Sequence, residues 1–253
     1  MPLKWPKKIW IVRHGESAGN VERDLADTAG HSRIEIADRD VDVPLSELGT
    51  RQSEALAQWF ADQAENERPN VILASPYRRA LQTADIIAAR IGPEDHMEII
   101  RDERLREKEF GILDRLTRHG IEELHPEQAE FRRILGKFYH RPPAGESWCD
   151  VILRLRSALD TISLHHSEKR VLIVAHQVVV LCLRYIFEEL DEEEILTIDR
   201  EGDVANCGVT EYALAANGSS NNHLQLKRYN FVAPLLETGT PVTAEKDANV
   251  AAR

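Results

Sequence analysis

Three short stretches of the chain are apolar at every position: residues 9–12 (IWIV), 71–74 (VILA) and 171–175 (VLIVA). A strand with one wet face alternates apolar and polar residues, so continuous runs of this kind indicate strands covered on both faces, as in a parallel sheet. Helical patterns lie between them. Ala55, Leu56, Trp59 and Phe60 share one face of a segment opened by Ser46, and Ala80, Leu81, Ala84, Ile87 and Ile91 share a face of another. For the second segment Ser75 is the expected N-cap, Pro76 the first helical residue and Gly92 the stop. Residues 147–163, capped by Ser147, and residues 177–189 read as two further helices.

Strands alternating with crossover helices predict an α/β fold: three layers, α/β/α, around a central, mostly parallel sheet. Residues 97–100, 208–214 and 224–232 are expected as outer strands, with AANGSSNN (residues 215–222) as the loop between the last two. Residues 21–43 and 111–146 are less regular, which suits loops or lids over a site. From Glu237 onward the chain is polar and aperiodic, so the reading is a single domain over residues 1–236 and a mobile tail over 237–253.

Composition narrows the function. At 253 residues and 42% hydrophobic, the chain is long enough for one sizeable core. Its 32 Lys and Arg against 43 Asp and Glu give a net charge of -11, which argues against general affinity for nucleic acid or acidic membranes. Any anionic substrate must be drawn by a local basic cluster. Cys149, Cys182 and Cys207 form no C-x-x-C pair, so they suggest reduced thiols rather than a disulfide framework or a zinc site. The N-terminal apolar run stops at Val12, too short for a signal peptide, and no segment approaches the roughly 18 apolar residues of a membrane helix. A soluble cytoplasmic protein is expected.

Candidate chemistry sits where the three apolar strands end. IWIV runs into Arg13-His14, VILA into Ser75-Pro76-Tyr77-Arg78-Arg79, and VLIVA into His176. In open parallel sheets the ligand crevice lies beyond the carboxyl ends of the strands, so these residues are expected to converge there. Taken singly, an arginine at a strand end is more often a solvated edge charge and a histidine more often structural. Two histidines and at least two arginines at three such ends point instead to an anion site, with phosphate favoured because the arginine fork matches its oxygens.

The blocks R-H-G-E with Asn20 four residues beyond Glu16, S-P-x-x-R-A-x-Q-T-A (residues 75–84), L-x-E-x-x-x-G (residues 105–111) and a strand ending A-H resemble the histidine phosphatase superfamily, the phosphoglycerate mutase-like proteins. The resemblance runs from Ile9 to about Tyr212 in the family's order. It implies that His14 is a nucleophile forming a phosphohistidine, that Arg13 and Arg79 clamp the phosphoryl oxygens, and that His176 donates a further hydrogen bond. Gly15, Ser17 and Asn20 would line the phosphate site, Gly15 by letting the backbone approach it. Glu107 matches the general acid and base, in preference to Glu103 and Glu109, and Arg79 rather than Arg78 matches the arginine. Glu16 is read as a partner for an arginine or a backbone amide. No metal and no cofactor is expected, because histidine and arginine fill the roles that metals take elsewhere.

Within that family the stretch KFYHRPPAGESWCDVILRLRSAL is similar to the phosphatase half of the bifunctional fructose-2,6-bisphosphate enzymes, which marks Lys137, Tyr139 and Arg141 as sugar-contact candidates. No G-x-x-x-x-G-K-[ST] phosphate loop occurs. The expected activity is hydrolysis of a small soluble phosphate monoester. A cofactor-dependent phosphoglycerate mutase is the alternative enzyme, and a weakly active phosphate-binding scaffold the non-catalytic one. A homodimer is the expected assembly.

Overall fold

Residues 4–92, 97–215 and 223–244 are described in a computed structural model. The apolar run that starts the chain becomes β1 (Lys8–Arg13), followed by β2 (Val71–Ala74), β3 (Ile99–Arg101), β4 (Arg170–Ala175), β5 (Val209–Leu214) and β6 (Leu224–Phe231). They form one sheet in the order β3-β2-β4-β1-β5-β6. β3, β2, β4 and β1 are mutually parallel, while β5 runs antiparallel to β1 and β6 antiparallel to β5.

Both faces of the central strands are dry, and the period of two sorts their side chains into separate cores. Ile9, Ile11, Leu73, Val171 and Ile173 belong to one core, and Trp10, Val12, Ile72, Leu172 and Val174 to the other. The first is closed by α6 (Trp148–His165) and α7 (Gln177–Phe187), through Val151, Leu155, Leu159, Val179 and Leu183. The second is closed by α2 (Glu47–Ala61) and α3 (Arg78–Ile91), through Leu56, Phe60, Ala84 and Ile87. A helical layer on each face makes the three-layer α/β fold that the apolar runs predict.

Helix ends follow local chemistry. The Ser46 side chain accepts from the Gly49 amide to start α2, and Ser147 with Asp150 forms a capping box at α6. The expected cap of α3 is corrected: the helix begins at Arg78 after Tyr77, with Ser75 and Pro76 before it. The Ser75 hydroxyl is engaged with the His176 ring instead, at 2.8 Å.

Residues 21–43 and 111–146 are more regular than their sequences indicate. α1 (Ala18–Ala29) opens on a capping box between Ser17 and Asn20, and buries only Asn20 and Ala26. α4 (Arg118–Leu124) and α5 (Pro126–Tyr139) also bury few residues, and of the apolar positions spaced along one face of α5 only Phe138 is buried, with Phe131, Ile134 and Leu135 exposed. α8 (Glu192–Glu201) and α9 (Ala233–Glu237) complete the helices.

The expected mobile tail is corrected as far as the chain is described. Thr243 bonds through its backbone carbonyl to the Asn206 amide at 2.8 Å and through its hydroxyl to Asn206 Oδ1 at 3.0 Å. Gln52 Nε2 donates to the Pro241 carbonyl. Residues 245–253, and residues 216–222 of the expected AANGSSNN loop, lie outside the described residues.

Candidate active site

Register brings the strand ends together. Arg13 pairs with Ala175 and Ala74 with Val174, so His14, Ser75 and His176 follow at one edge of three adjacent strands. The His14 amide donates to the Ala175 carbonyl at 3.0 Å, and the Ser75 amide to the Val174 carbonyl at 3.0 Å. The imidazoles of His14 and His176 stand edge to face with centroids 5.1 Å apart.

His14 is almost fully buried, and its Nδ1 lies 2.7 Å from the Gly15 carbonyl. A carbonyl only accepts, so Nδ1 carries the proton and Nε2 keeps its lone pair. Burial, followed by the charges of Arg79 and Arg13, holds the pKa of His14 well below the ordinary histidine value. The ring is therefore neutral and keeps on Nε2 the lone pair that nucleophilic attack requires.

Two arginines flank it. Arg13, 1% exposed, donates through Nη1 to Gln177 Oε1 at 2.9 Å and to the Val204 carbonyl at 2.5 Å. Arg79 donates through Nε to His14 Nε2 at 3.1 Å. Its Nη1 also reaches the Asp40 carbonyl at 2.6 Å and Asp40 Oδ1 at 2.9 Å, and its Nη2 reaches Asp40 Oδ2 at 3.3 Å. Arg78, the alternative arginine, is exposed.

Glu107 stands beside His176, with Oε2 3.9 Å from Nδ1. Burial raises its pKa from 4.5 to about 7, against the backbone hydrogen bond from Lys108 and the nearby positive charges. Near neutral pH it exists in both forms, as a group that gives and then takes a proton requires. The loop that carries it is fixed by Arg154, which donates to the carbonyls of Arg104 at 2.5 Å and Glu107 at 3.2 Å and to the Glu146 carboxylate. Glu146 in turn holds Arg106 at 2.7 Å and the Glu109 amide at 3.1 Å.

Arg13, His14, Arg79 and Glu107 open into a cavity of about 160 Å³ lined also by Ser17, Asn20, Asp40, Lys108, Arg132 and His140, while His176 lies fully buried behind its lining. Ser17 and Asn20 hold each other through the capping box, which fixes the Asn20 amide. Segments 19–43 and 107–142 thus form the cavity walls, as helices and turns rather than as loops alone.

Several expectations are corrected. Lys137, Tyr139 and Arg141 do not line the cavity. The backbone of α5 breaks at Gly136, in the left-handed region with φ of 77°, and beyond it Lys137 pairs with Asp199 of α8 at 2.6 Å. Tyr139 is 54% exposed, and Arg141 donates to the Gly145 carbonyl. Gly15 is required for a different contact: a Cβ there would stand 2.4 Å from the Gly49 carbonyl oxygen, so its role is the close packing of the turn on α2. Glu16 accepts from the Ser46 hydroxyl at 2.7 Å, rather than from an arginine or an amide.

Sequence reasoning missed Asp40, Ser75 as partner of His176, Gln52, Asn206 and Arg154. Of these, Ser75 and Arg154 stand in stretches that carry the family resemblance, as do Glu146 and Gln177, whereas Asp40, Gln52 and Asn206 stand outside them. Among the described residues no group of three metal-ligating side chains comes together.

Known proteins resemble this chain in sequence and in fold. A probable phosphoglycerate mutase, GpmB, of Yersinia enterocolitica is 34% identical over 178 residues, covering 70% of this chain and 72% of the relative. The 6-phosphofructo-2-kinase/fructose-2,6-bisphosphatase of Caenorhabditis elegans is 31% identical over 195 residues, 77% of this chain but 37% of that protein. Among solved structures, the native mycobacterial glucosyl-3-phosphoglycerate phosphatase superposes with a TM-score of 0.67 at 25% identity, over 88% of this chain and 98% of that one. The alpha-ribazole phosphatase of Shigella flexneri, at 18% identity, shares the fold with a TM-score of 0.69 over 89% of this chain and 96% of its own. Residues 9–227 match the sequence pattern of one family throughout, and with the geometry around His14 this places the chain in the histidine phosphatase superfamily, branch 1.

Proposed function

We propose that the protein is a phosphatase that hydrolyses a small phosphate monoester through a phosphohistidine on His14. The observation that carries this reading is a neutral His14 whose Nε2 lone pair faces the guanidinium of Arg79, beside a carboxyl whose pKa is about 7. Nε2 attacks phosphorus in line, the ester P–O bond breaks, and Glu107 gives its proton to the departing alkoxide. Water then attacks the phosphohistidine, Glu107 takes its proton, and the P–N bond breaks to release orthophosphate. Arg13, Arg79 and His176 offset the charge on the phosphoryl oxygens in both steps.

The cavity supports a small substrate. Its volume corresponds to on the order of ten water molecules, the size of a metabolite rather than a polymer segment. A phosphoglycerate mutase, supported by the similarity to GpmB, would use the same first half-reaction and return the phosphoryl group to a second hydroxyl.

The test is to incubate the purified protein with p-nitrophenyl phosphate, with 3-phosphoglycerate plus a bisphosphate primer, and with a panel of sugar phosphates. Release of inorganic phosphate that disappears in His14→Ala supports the phosphatase. Isomerisation without net hydrolysis supports the mutase, and phosphate binding without turnover the scaffold.

A further inference from the structure

The guanidinium of Arg79 is already engaged by a carboxylate. Asp40 accepts from both terminal nitrogens of Arg79 while Arg79 Nε holds His14, so one fork spans an anion and the nucleophile together. That is the contact pattern by which an arginine grips a phosphoryl group. The two partners differ in freedom: the Arg79 side chain is 7% exposed and that of Asp40 is 42% exposed. Asp40 can therefore turn toward water at small cost, whereas Arg79 stays.

The backbone around Asp40 is held in place. Arg115 donates to the carbonyls of Ile36 at 2.9 Å and Asp38 at 2.7 Å, from a backbone conformation with φ of 59°. On the other side the Ala18 amide donates to the Pro44 carbonyl at 3.0 Å. Segment 36–44 is thus tied at both ends, and an Asp40 side chain displaced from Arg79 remains within reach of it.

We propose that Asp40 competes with phosphate for Arg79: its carboxylate keeps the guanidinium aligned on His14, yields to the incoming phosphoryl group, and retakes the fork as orthophosphate leaves. The competition follows from the anion site alone, while its benefit, faster product release, rests on the phosphatase reading. A mutase has the opposite need, because it must retain a phosphorylated intermediate until the second transfer.

The experiment measures binding of inorganic phosphate and of vanadate by calorimetry to the full chain and to Asp40→Asn and Asp40→Ala, alongside phosphate inhibition of p-nitrophenyl phosphate turnover. Thermal unfolding checks that each variant is folded. The asparagine keeps the shape and removes the charge, so both anions are expected to bind about tenfold tighter to Asp40→Asn, with the inhibition constant for phosphate falling in parallel. Affinity unchanged within twofold, or weaker binding in Asp40→Ala restored by Asp40→Asn, would show that Asp40 only positions Arg79, and would overturn the inference. Wild-type protein that binds phosphate tightly but hydrolyses nothing overturns the phosphatase reading instead, and the calorimetric comparison still decides the role of Asp40.

Discussion

Arg79 directs its Nε–H at Nε2 of His14 across 3.1 Å, so the proposed nucleophile and its proposed charge clamp are joined without a substrate between them. Only a guanidinium has a donor on the inner nitrogen and two further nitrogens in the same plane. Lysine offers a single point charge and cannot hold both ends. Arg79→Lys is expected to lose about a hundredfold in kcat/KM on p-nitrophenyl phosphate, the scale of a lost charge-stabilising donor, with an unchanged unfolding temperature. Steady-state kinetics with calorimetric scanning checks both halves.

In the proposed mechanism Glu107 carries the proton for the leaving group, so the need for it depends on that group. Glu107→Gln is expected to lose on the order of a thousandfold on alkyl phosphates but far less on p-nitrophenyl phosphate, whose phenolate departs unaided. Comparable losses on both would remove Glu107 from the acid role. With a pKa of about 7, its acid form declines above neutrality, so wild-type turnover of alkyl phosphates should fall as pH rises past 7.

The same carboxyl makes stability depend on pH. Its folded pKa is raised, so the folded state holds the proton more tightly than the unfolded chain; the stability it contributes is fully present below about pH 4.5 and is lost as pH rises to about 7. Glutamine escapes that loss. Denaturant unfolding should find Glu107→Gln more stable than wild type by about 3 kcal/mol at pH 8, with the gap closing toward pH 4.5.

Two basic residues from the same stretch should separate cleanly. Arg132 lines the cavity with a buried Nε that has no hydrogen-bond partner, and its charge and that of Lys108 help burial lower the pKa of buried His140 to about 4. This positive wall suits a second anionic group on the substrate. Arg132→Gln is expected to lower the ratio of kcat/KM for a phosphorylated carboxylic acid to that for p-nitrophenyl phosphate about tenfold. Lys137→Met instead removes the ion pair with Asp199, whose side chain is 3% exposed, and should lower stability in denaturant unfolding while leaving that ratio unchanged.

The described C-terminal segment reaches the turn that carries His14 through two residues, Asn206 and Gln52. Thr243 bonds to Asn206, and Asn206 Nδ2 donates to the His14 carbonyl at 3.1 Å. Gln52 joins the same network, accepting from the Glu16 amide at 2.8 Å and donating to Thr243 Oγ1 at 2.9 Å. Truncation after Thr240 is expected to reduce kcat about tenfold while circular dichroism stays unchanged.

What could be read from sequence follows what each residue contacts. Strands β1, β2 and β4 and helices α2, α3, α6 and α7 bury continuous runs or one-sided stripes, and those patterns can be read. α1, α4 and α5 bury little, and the apolar residues spaced along one face of α5 are mostly exposed. His14, Glu107 and His176 stand in contiguous blocks beside strand ends, whereas Asp40 is tied to Arg79 across 39 positions and Asn206 to His14 across 192. Such pairs have no local signature. Lys137 follows a backbone break at Gly136, which composition does not reveal, and pairs with Asp199.

The central claim is the covalent intermediate on His14. Acid or alkali quenching during turnover of a phosphorus-labelled substrate, followed by peptide mapping, tests it most directly. The account predicts an acid-labile, alkali-stable phosphoryl group on the peptide that contains His14, absent in His14→Ala. Sustained phosphate release with no label on that peptide, or label on another residue, would contradict it.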